Sequence, residues 1–210
     1  MKKFPFTAII FFISSQFLFS QHIDIDKKAL SFLASQEKVN VVFVKDSLLM
    51  IDDLYEMEFI QKMRQKITDK TTAEDANNWI IDYNENKNET WTLAFLNQLN
   101  EKIGEDKNVI VFLMNETEAH YTMQVKPTWM YFGYDAGIMD RPAKVTLKID
   151  FYENKSPNSF IFSTEISRAM AKYNREDGDG EGAGPSLNRM RKAFEMAGYK
   201  LAKSLERVLD

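Results

Sequence analysis

Counting from Asp177, oxygen-bearing side chains fall at the first, third and fifth places (Asp177, Asp179 and Glu181), with Gly182 at the sixth. That is the opening half of a calcium loop. The twelfth place holds Asn188 where a bidentate glutamate is needed, and the eighth holds Gly184 where an apolar anchor is usual. The spacing therefore predicts a flexible acidic link over 176–184, with Asp177, Asp179 and Glu181 as weak metal candidates and no cofactor.

Two histidines and no cysteine in 210 residues close off more chemistry than they suggest. Disulfides, thiolate nucleophiles, iron–sulfur clusters, Cys-based zinc sites and a lipid anchor on Cys are excluded by count. His22 lies in a polar lead, so a Ser-His-Asp triad could be built only around His120, and no serine sits in a G-x-S-x-G setting. Neither a P-loop nor a G-x-G-x-x-G turn follows a strand. Adjacent acids recur at Asp24 and Asp26, Asp52 and Asp53, and Glu56 and Glu58. With 31 acidic residues such neighbours arise by chance, which places a carboxylate-dependent hydrolase last among the functional readings.

The run from Trp129 to Met139 holds Trp129, Tyr131, Phe132 and Tyr134 together with Met130, Ile138 and Met139. Periodicity makes it a connection between two strands, and loops seldom carry so much apolar area unless it is buried or meets a partner. One reading is a long arm packed over the protein's own sheet. The other is a binding surface in which Trp129, Tyr131, Phe132 and Tyr134 meet another envelope protein, or line a groove for a glycan or small molecule.

These residues must be positioned by the elements around them. Lys2 and Lys3 precede an apolar stretch from Phe4 to Phe19 that turns polar at Ser20, which reads as a signal peptide over residues 1–20. Export implies a periplasmic or outer-membrane-associated protein with no membrane span after cleavage. Losing Lys2 and Lys3 from 27 basic residues leaves 25 against 31 acidic ones, a net charge of −6 that argues against nucleic acid as a partner. The oligomeric state is left open.

A polar lead over 21–38 precedes a single mixed α/β (α+β) domain over 39–210. Its first strand, Val39 to Val44, has β-branched density without alternation and is expected to be buried on both faces. A helical segment over 53–104 follows. Asp52 or Asp53 caps a helix bearing Phe59, Ile60, Met63 and Ile67; a second helix carries Trp79, Ile80 and Tyr83; and Asn84 to Asn88 breaks the chain before a Trp91, Phe95, Leu99, Ile103 stripe. The strand-rich part, 108–166, pairs Val109–Met114 with Tyr121–Val125 across Asn115 to His120, and Val145–Phe151 with Phe160–Thr164. A C-terminal helix over 186–209, capped by Ser186, buries Leu187, Met190, Phe194, Ala197, Leu201, Leu205 and Val208. Its opposite face, Arg189 included, is expected in solvent, and Gly198 to mark a close approach to a strand. About five strands, mixed or antiparallel, result.

Tyr121-x-Met123-x-Val125-Lys126, then Gly133 and Gly137, Pro142-Ala143, the alternating Val145 to Phe151 closed by Tyr152-Glu153, and Ala197-Gly198-Tyr199-x-Leu201-Ala202-Lys203 carry a resemblance. Over about the last ninety residues the chain resembles a family of exported proteins of Gram-negative bacteria with no assigned activity. Its element order is also similar to the small α/β domains of the TolB amino-terminal, CsgG and LpoB type, which implies an envelope assembly or regulatory module. The lack of Cys departs from the lipid-anchored members of that group. A non-enzymatic role through protein contacts is the expectation, with a glycan or small-molecule binder as the alternative.

Overall fold

A computed structural model describes residues 23–105, 110–135, 140–170 and 184–209. The proposed signal peptide, His22 and the acidic link with Asp177, Asp179 and Glu181 lie outside the described residues, as do Gly137, Ile138 and Met139.

In chain order the elements are β1 (Lys38–Phe43), β2 (Leu49–Met50), α1 (Glu56–Lys70), α2 (Ala73–Glu85), α3 (Trp91–Glu105), β3 (Val111–Met114), β4 (Tyr121–Tyr131), β5 (Tyr134–Asp135), β6 (Asp140–Arg141), β7 (Lys144–Glu153), β8 (Phe160–Ala169) and α4 (Leu187–Leu209). Six strands form one sheet in the order β3-β1-β4-β7-β8, with the short β2 also beside β4; β5 and β6 form a separate ribbon. The β3, β1 and β4 side of the sheet is parallel, and β4, β7 and β8 are antiparallel. The mixed α/β class expected from the sequence is the class observed.

The hairpin of β7 and β8 has the expected partners, with Ile149 opposite Thr164 and Phe151 opposite Phe162. Val109–Met114 and Tyr121–Val125 do not form a hairpin. Instead β1 inserts between β3 and β4 and runs parallel to both, pairing Val41 with Met114 on one side and Met123 on the other. Nor is β1 buried on both faces: Val39 and Val41 are enclosed while Asn40 and Val42 are half-buried.

Val39, Val41, Met123, Val125, Val145, Leu147, Ile149 and Phe151 face one continuous core with the helices. The stripe of α4 supplies Met190, Phe194, Ala197, Leu201 and Leu205, all nearly inaccessible. Its period matches 3.6 residues per turn, so one face meets the sheet and α3. Ser186 caps this helix, its hydroxyl accepting from the Arg189 N–H at 3.1 Å. Arg189 itself is buried and not on the solvent face. Gly198 does mark a close approach, but to α3: a Cβ there would stand 2.2 Å from the Phe95 carbonyl oxygen.

Tyr55, not Asp52 or Asp53, precedes α1, and both aspartates occupy a tight turn at φ 63° and 55°. The expected break at Asn84 to Asn88 is absent, because α2 continues through a π-helical turn, Asn86–Thr90, into α3. The lead is part of the fold from residue 23 onward, with Ile23, Leu30 and Leu33 in the core. Among the described residues no helix is long and apolar enough to cross a membrane.

Candidate functional site

The aromatic run divides at Phe132. Trp129 and Tyr131 are the last rungs of β4, opposite Thr146 and Lys144 of β7, while Met130 opposite Val145 points into the core. A bulge between Pro127 and Trp129 sets this phase. Both rings therefore stand on the sheet face away from the core, half-buried, with centroids 6.3 Å apart. The Arg168 guanidinium lies 5.3 Å over the Trp129 ring, a cation–π contact. Arg168 is held there at φ 45°, its N–H donating to the Thr146 hydroxyl at 3.1 Å.

Phe132 turns the other way. Only 4% exposed, it stacks on Phe59 of α1 at 5.6 Å and meets Trp79, Tyr83 and Trp91 edge-on or tilted at 6.0–6.4 Å. It is a core anchor and offers no surface to a ligand. Gly133 makes the reversal possible: at φ 68°, a Cβ would meet the Arg141 carbonyl oxygen at 2.0 Å. Tyr134 then emerges exposed on the ribbon, opposite Arg141. The described part of the expected arm, residues 129–135, thus extends the β4 and β7 hairpin and is not a strap across the sheet.

Partial burial, then the neighbouring Tyr134, push the Tyr131 phenol up, and Arg141 and Arg189 pull the other way. The segment thus gathers three aromatic rings with arginines around them.

The remaining sequence candidates have structural occupations. His120 is exposed beside a recess of about 260 Å³ that Gln36, Tyr121, Glu153, Asn154 and Lys155 also line. Asp26 caps a turn through the N–H groups of Lys28 and Ala29, and Glu58 accepts from the Tyr55 N–H at 3.0 Å. Glu56 receives both the Lys87 ammonium and the Tyr83 hydroxyl at 2.6 Å. Among the described residues no group of three or more His, Asp or Glu could hold a metal ion.

Sequence reasoning missed the surroundings of Glu56. The π-helical turn presents Lys87 to Glu56 and the Asn88 carbonyl to Lys45, whose ammonium donates at 2.8 Å. Burial, and then Lys87, lower the Lys45 ammonium, while burial, and then Glu56, drive the Tyr83 phenol far up. The cluster joins the end of β1 to α1 and the junction of α2 with α3. A π turn has no composition of its own, so Asn86, Lys87 and Asn88 read as a break. This polar knot braces the fold, since Glu56 and Lys45 are tied to Tyr83, Lys87 and the Asn88 carbonyl within the chain.

No protein-family model, curated protein or solved structure matches this chain.

Function must therefore be read from geometry. The helices cover one sheet face, and the other carries Lys148, Gln124 and Lys126 as well as Trp129 and Tyr131. Among the described residues it is a broad surface on which large aromatic side chains remain partly open.

Proposed function

We propose that the chain is an exported, envelope-associated binding module that acts through protein contacts at the sheet face opposite the helices, around Trp129, Tyr131 and Tyr134. One observation carries the reading. Trp129 and Tyr131 hold their rings side by side on the face opposite the core, with Arg168 laid over Trp129. Tryptophan, tyrosine and arginine are the residues that dominate protein interfaces energetically. A strand surface is flat, which suits a protein partner better than the concave pocket that small ligands occupy. Recesses of about 450 and 260 Å³ are lined by other residues.

The test is site-specific photocrosslinking of the full chain in its native cells. A photoreactive residue at Tyr131 is expected to trap a discrete partner that the same probe at Ile81, exposed on α2, does not. Equal trapping from both positions, or none from Tyr131, would sink the proposal.

A further inference from the structure

Lys45 and Lys87 line one recess with Phe43, Leu48, Trp91 and Met130. It holds about 10 Å³ of free space, room for a single small group. The two ammonium groups differ in their partners. Lys87 is held by both carboxylate oxygens of Glu56 at 2.6 Å. Among the described residues Lys45 donates to the neutral carbonyl of Asn88 at 2.8 Å and has no carboxylate partner. The acids nearby are bound elsewhere, since Asp46 pairs with Lys126 at 2.6 Å and Glu56 also takes the Tyr83 hydroxyl. Lys45 therefore has apolar walls beside it and a second cation within electrostatic reach, and both disfavour its charged form.

We propose that Lys45 is a nucleophilic amine that takes a short-chain aldehyde as a covalent ligand. The site is separate from the aromatic face and does not depend on the binding-module reading. A lysine becomes reactive where an apolar pocket or another cation keeps part of it as the free amine. Burial, and then Lys87, hold this ammonium below its ordinary range, so near neutrality more of it is free than of an exposed lysine. Once its proton has passed to water, the lone pair of Nζ attacks the carbonyl carbon. The resulting carbinolamine loses its oxygen as water together with the two remaining amine hydrogens, which leaves a C=N bond. The size of the recess names the ligand class, because only a short substituent finds room beside the amine.

The probe is acetaldehyde with cyanoborohydride, added to the full chain near neutral pH so that each imine is trapped as an ethyl-lysine. Peptide mapping by mass spectrometry then reads the rate at each lysine. Lys45 is expected to react about threefold or more faster than Lys62 and Lys66, which lie exposed on α1. That lead should narrow as pH rises past about 10, where exposed lysines are free amines too, and vanish in urea. Lys87→Met should reduce it, because the second cation is gone and Glu56 is left to hold the Lys45 proton, whereas Lys87→Arg should keep it. A Lys45 rate no higher than that of Lys62, a lead that persists in urea, or equal leads in Lys87→Met and Lys87→Arg would overturn the proposal. Should Lys87→Met not fold, the parent decides alone, and a lead that stays constant from neutrality to about pH 10 overturns it.

Discussion

The side-chain amide of Asn100 in α3 supplies both halves of a strand pairing to the backbone of Phe112 in β3. It donates to the carbonyl and accepts from the N–H, each at 2.8 Å. β3 is an edge strand, and Val111, which turns its N–H to Glu37, shows that Phe112 points its own groups outward. Asn100 therefore stands where another strand would pair. Val111, Leu113 and Met114, all partly exposed, make this an edge worth blocking.

Asn100→Ala is expected to expose that edge, lowering stability by about 1–2 kcal/mol and raising self-association. Sedimentation across a concentration series reads the association. Adding Leu113→Lys should reverse it by placing a charge on the edge. A variant that only melts earlier and sediments like the parent would reduce Asn100 to a brace.

What the sequence made legible was local. The stripe of α4, its Ser186 cap, the β7 and β8 hairpin and the buried Phe59, Met63 and Ile67 of α1 each follow from periodicity within one or two elements. The place of β1 between β3 and β4 was not legible, because parallel pairing joins segments about seventy or more residues apart with no turn to announce it. The candidate site shows the same division. Trp129 and Tyr131 were found by composition, but the bulge that sets their face and the burial of Phe132 depend on helices far away in the chain. Arg168, about forty residues downstream, enters only through β8.

Gly198 separates intrinsic propensity from packing. In an open helix, replacing Gly by Ala stabilises by about 1 kcal/mol. Here the added methyl would meet the Phe95 carbonyl, a backbone atom that cannot swing aside. Gly198→Ala is therefore expected to destabilise by about 1–3 kcal/mol, as overpacked sites do. Urea denaturation checks the sign, and a more stable variant would mean that α3 and α4 are not in close contact.

Tyr83 gives a pH prediction. Its phenol is pushed up by burial and by Glu56, so the folded chain keeps a proton that the unfolded chain releases above about pH 10. Its stabilising contribution is complete below that pH and is lost as pH rises through the alkaline range. The parent should lose about 1.4 kcal/mol per pH unit more steeply there than Tyr83→Phe, while near neutrality Tyr83→Phe should be less stable for want of the bond to Glu56. Parallel denaturation curves at neutral and alkaline pH test this, and identical slopes would contradict it.

Phe132 and Tyr131 are neighbours in sequence with opposite duties, and paired substitutions should pull those duties apart. Phe132 fills a space between Phe59, Trp79, Tyr83 and Trp91, so Phe132→Ala leaves a cavity worth about 3–5 kcal/mol. Tyr131 stands half-buried on the face opposite the helices, where truncation removes contact area without opening the core. Tyr131→Ala should cost about 1 kcal/mol or less of stability yet abolish crosslinking from a probe placed at the neighbouring Thr128. Phe132→Leu, which keeps most of the volume, should retain that crosslinking even though it melts earlier. If Tyr131→Ala and Phe132→Leu lowered stability alike and left the crosslink unchanged, the aromatic face would be packing alone and the partner would bind elsewhere.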